Sequence, residues 1–183
     1  MSYTEIYKFK KDSDAKCFAE TPNAFRGAMA IWINLEKRYL PKYMPTWAMG
    51  DTSRDYSRMS DFTGEGSKEI WNLFCSDKVT ETDKIVLGST FDHVVVMKED
   101  LPKLIEAFRN FEGETSLKEQ ADLIEDAYKN DNDLLAIAWN QTSVNGDAWK
   151  SNEISLNEYE EEFYLPYNLL KHDKHWSLFK EVS

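Results

Sequence analysis

The feature that most constrains this 183-residue chain is a four-part pattern between residues 93 and 139. Two short apolar runs, residues 93–97 with three consecutive valines and residues 134–139, enclose two stretches of helical periodicity. Both runs are far too short to cross a bilayer and read as buried strands, the valine run as one buried on both faces. In the first helical stretch Asp100 can cap, Leu101, Leu104, Ile105, Phe108 and Phe111 form one stripe, and Gly113 terminates. The second opens on Ser116-x-x-Glu119, the pattern of a capping box, and carries Leu117, Ala121, Ile124 and Tyr128. Strands flanking clustered helices, without regular βαβ alternation, point to an α+β fold.

The rest of the chain extends that frame. Residues 3–9 alternate as a strand, with Tyr3, Glu5, Tyr7 and Phe9 on one face and Thr4, Ile6 and Lys8 on the other. Residues 10–13 read as a polar loop. A helix is then expected with Thr21 as cap, Pro22 in its first turn, a stripe of Phe25, Ala28, Met29, Trp32, Leu35 and Tyr39, and Pro41 as its stop. Residues 41–66, with two prolines and three glycines, form the longest irregular stretch and a candidate binding or mobile loop. Residues 67–75 read as a short helix, Thr80-x-x-Asp83 as a cap before Ile85 and Leu87, and residues 175–182 as a closing strand. The hydrophobic fraction of 42%, including 25 aromatics, is enough for a core. The expectation is one globular α+β domain over residues 1–183, with a mostly antiparallel sheet of about four to five strands and helices packed on one face.

Charge narrows the function classes. The net charge is −11, and it is uneven: residues 1–60 sum to +3 and residues 61–183 to −14. Residues 99–133 alone carry 11 acidic and four basic groups. Such a surface repels phosphate backbones, which disfavours direct nucleic-acid binding as the main activity. It suits a protein partner with a basic surface, and it also keeps a protein soluble. The first residues do not form a basic stretch followed by an apolar one, and no run is long enough for a membrane, so the expected location is the cytoplasm. Cys17 and Cys75 have neither metal-like spacing nor a disulfide framework and read as packing residues.

No standard catalytic pattern is present: no GxxxxGKS/T loop, GxGxxG, GxSxG, HExxH or calcium loop. No catalytic residue, metal site or cofactor is therefore assigned. His172-x-x-His175 is a metal fragment without an identifiable third ligand, and Asp92–His93 a possible acid–base pair without a nucleophile. The ligand-binding candidate is the polar segment after the second apolar run. Asn140, Gln141, Thr142, Ser143 and Asn145 supply donors and acceptors without fixed charge, and Trp149 adds a flat wall. Arg26, at a helix start, and His175 are its expected companions. Turn chemistry alone explains Asn145-Gly146, and an Arg placed like Arg26 more often pairs with a nearby carboxylate. The partner-binding candidate is Tyr159, Glu160, Glu161 and Glu162, an acidic face with an aromatic anchor.

Several stretches carry a likeness to known sequences: residues 26–32 (RGAMAIW), Thr90-Phe91-Asp92, residues 105–109 (IEAFR), residues 139–145 (WNQTSVN), residues 165–168 (LPYN) and His175-Trp176. On these the chain resembles a group of small acidic cytoplasmic proteins of Gram-positive bacteria and their prophages, to which no activity is assigned. The resemblance implies a bacterial or phage cytoplasm and an accessory role, and it carries over no catalytic residue. The leading expectation is an acidic protein-binding accessory protein, in its most concrete form a phage-derived modulator of a host or defence protein. The alternatives are a small-molecule-binding or enzymatic domain built on residues 140–145, and a structural protein that self-associates.

Overall fold

A computed structural model describes residues 3–11, 13–23, 26–39, 72–91, 94–141, 167–171 and 173–174. The elements run β1 (Tyr3–Lys10), β2 (Ser13–Pro22), α1 (Ala28–Tyr39), α2 (Glu81–Gly88), β3 (Val94–Met97), α3 (Leu101–Asn110), α4 (Leu117–Asn130), β4 (Leu134–Gln141), β5 (Tyr167–Asn168) and β6 (Asp173–Lys174). Short 3₁₀ turns occupy Leu73–Cys75 and Lys98–Asp100. The strands form one sheet in the order β2-β1-β4-β3-β5-β6. Every pair is antiparallel except β3 with β5. The fold is α+β, with the helices packed against the sheet.

Alternation along the strands decides which residues meet the helices. On that face Ile6, Val94, Val96, Ile137 and Trp139 join Leu35, Leu87, Leu104, Phe108, Leu117 and Ile124 in one buried cluster. Phe108 of α3 lies tilted against Trp139, with ring centroids 5.9 Å apart. The Trp139 indole N–H donates to Gln120 Oε1 of α4 at 3.4 Å. The opposite face is buried as well: Tyr7, Phe9, Val95, Ala136 and Ala138 form a second cluster. Burial on both faces explains why residues 134–139 read as a continuous apolar run instead of an alternating one.

Three local expectations are corrected by tertiary contacts. Residues 13–22 form a strand that had not been expected, one that takes in the end of the 10–13 loop and the Thr21–Pro22 helix start, because they pair with β1 over its whole length (Tyr3 with Pro22, Ile6 with Ala19, Lys8 with Lys16). Thr21 therefore lies within β2 and not at the start of α1. The Pro22 carbonyl instead accepts from the amides of Arg26 (3.3 Å) and Gly27 (3.0 Å), and α1 begins at Ala28. The Ala28 amide donates to Thr4 Oγ1 of β1 at 3.3 Å, so a free helix-start donor is satisfied across the fold. Ser116 does not form a capping box. Its hydroxyl donates to the Arg26 carbonyl (3.0 Å) and accepts from Gln120 Nε2 (2.9 Å), while Glu119 reaches Arg26.

The Asp100 side chain also makes no capping bond, and its carboxylate is instead 3.0 Å from Lys171 Nζ. Thr80 does cap α2, accepting from the Asp83 amide at 3.2 Å. Cys75, expected as a packing residue, is exposed at the end of the 3₁₀ turn Leu73–Cys75; the earlier part of the expected helix over residues 67–75 lies outside the described residues. The loop over 41–66 and the closing strand over 175–182 lie outside the described residues.

Candidate functional site

Asn140 is the first residue of the polar segment and the last of β4 whose side chain is described. It stands in register with Glu5 of β1, on the sheet face opposite the helices. Its Nδ2 donates to Glu5 Oε2 at 3.0 Å, and the Tyr7 hydroxyl donates to the same oxygen at 2.8 Å. All three residues are buried. A buried carboxylate is tolerated only with such donors, and those it has among the described residues include a phenol and an amide, both neutral. Across the ladder from Tyr7 stands Cys17, whose thiol donates to the Ala19 carbonyl. Burial, and then the nearby negative charge of Glu5, push the Cys17 thiol up from its ordinary range, which keeps it protonated and a poor nucleophile. The row can hold a charge in place, and its donors already point at that charge.

The other candidates divide. Gln141 pairs through its backbone with Thr4. Arg26, exposed just before α1, donates to the Thr115 carbonyl at 3.2 Å and to the Glu119 carboxylate, so it clasps the start of α1 to the start of α4. It pulls the Glu119 carboxyl below its ordinary range. Asn140 and Arg26 share no partner among the described residues. Thr142, Ser143, Asn145, Trp149, His175, Tyr159, Glu160, Glu161 and Glu162 lie outside the described residues, as do Asp92, His93 and His172. Among the described residues no group of three or more His, Cys, Asp or Glu is placed to hold a metal ion, and no helix is long and apolar enough to cross a membrane.

The acidic stretch 99–133 is partly neutralised from within. Glu99 and Asp100 pair with Lys171, Glu119 with Arg26, Asp122 and Glu125 with Arg109, and Asp131 with Lys8 and Lys10. Arg109 and then Lys129 pull the Glu125 carboxyl down to about 2. Glu106, Glu112, Glu114, Asp126 and Asp133 have no Lys or Arg within ion-pair distance among the described residues. Beside Asp126 on the outer side of α4 stands Leu123, 45% exposed and the one large apolar side chain so exposed among the described residues. Its place was legible: it falls off the Leu117–Ala121–Ile124–Tyr128 stripe, and its helical neighbours at i−4 and i+3 are Glu119 and Asp126. The Glu5–Tyr7–Asn140 row was not, since the pairing spans 135 positions.

Comparison of the chain with protein-family models, with curated proteins and with solved structures finds no match in any of the three.

Proposed function

We propose that this protein acts by docking a basic surface of another protein, as a cytoplasmic accessory factor. The observation that carries the reading is Leu123, an exposed apolar side chain framed by Glu119, Asp122 and Asp126 on α4. Interfaces concentrate their energy in such apolar anchors, while a charged rim sets orientation and encounter rate. Two of the three framing carboxylates pair with arginines, but both pairs are largely exposed: side-chain exposure is 52% and 57% for Arg26–Glu119, and 40% and 73% for Arg109–Asp122. Pairs this wet contribute about 0–1 kcal/mol. A partner's Lys or Arg can therefore displace the internal cation at little cost. Tyr159, Glu160, Glu161 and Glu162 extend the same chemistry in sequence. Nucleic acid is a poor fit to the surplus of negative charge.

The test is capture from a lysate of the native host by immobilised protein, with identification of what is retained. The expected result is a basic protein held at low salt and released at about 0.5 M, where charge interactions are screened within a few ångströms. Retention should be lost with a Leu123→Lys, Asp126→Lys double variant whose circular dichroism is unchanged, and with Glu160, Glu161 and Glu162 changed to Lys. Retention that ignores both salt and these substitutions refutes the reading.

A further inference from the structure

We draw no further inference here: the strongest candidate, the groove between α3 and α4 lined by Ile105 and Tyr128, carries nothing because Ile105 is almost wholly buried, the charges of Glu106, Arg109, Glu125 and Lys129 along it cancel, and nothing in the structure shows what covers it.

Discussion

Replacing Asp83 by Ala should cost more than any surface carboxylate in this protein, and the local geometry sets the amount. The Asp83 side chain is 3% exposed and accepts from Arg38 Nη1 and the Tyr39 hydroxyl, each at 2.5 Å. The Tyr39 oxygen in turn accepts from the Thr80 amide at 3.3 Å, so one carboxylate ties the end of α1 to the start of α2. Arg38 retains the Glu112 carbonyl at 2.8 Å and lies over the Phe111 ring, its guanidinium carbon 5.2 Å from the centroid. Removing one partner of a fully buried pair costs about 3–5 kcal/mol, because a charge is stranded. The Arg38 side chain is 30% exposed and keeps one bond, which lowers the expectation to about 2–3 kcal/mol. In a chain of this length that is a fall in Tm of roughly 5–10 °C. Urea unfolding followed by tryptophan fluorescence measures it. In an Arg38→Met background no guanidinium is left stranded, so Asp83→Ala should cost about 1–2 kcal/mol less. A coupling below about 0.5 kcal/mol, with unchanged urea dependence, would refute the clamp.

Further outcomes follow from the same contacts. Phe108→Ala removes a fully buried ring from between α3 and Trp139 and should destabilise by about 3–5 kcal/mol, read by calorimetry. Gly113 has φ +142°, and a Cβ would lie 2.6 Å from Asn34 Oδ1, so Gly113→Ala should lose about 1–2 kcal/mol in denaturant titrations. Lys10 and then Lys8 hold the Asp131 carboxyl below its ordinary range. A carboxyl lowered by folding contributes stability above its unfolded pKa and loses it as pH falls through the folded one. Asp131→Asn should therefore be less stable than the parent at pH 7, with the gap closing below about pH 4; a gap constant down to pH 2 would contradict this.

Legibility tracked the range of the interactions. The strand–helix–helix–strand block from Val94 to Gln141 was readable because its periods, near two and near 3.6, follow directly from which side chains are buried. Asp100, Thr21 and Ser116 misled for one shared reason. Each has the residue type of a helix cap, but the partners of Asp100 and Ser116 came from distant parts of the chain, and Thr21 was drawn into a strand. At the site the same division holds. Leu123 could be found by its departure from a stripe, whereas nothing near Asn140 announced that its amide would be held by Glu5.

By itself the sequence determined the α+β class, the faces of α3 and α4, and a chain whose surplus of carboxylates is concentrated in one stretch. These are local or compositional properties, set by solvent and by backbone geometry over a few residues. The tertiary structure decided that residues 13–22 join the sheet and that six of the carboxylates between 99 and 133 are neutralised internally. Such outcomes depend on which polar groups meet across long separations, and a buried donor or charge accepts whichever partner the packing brings within reach.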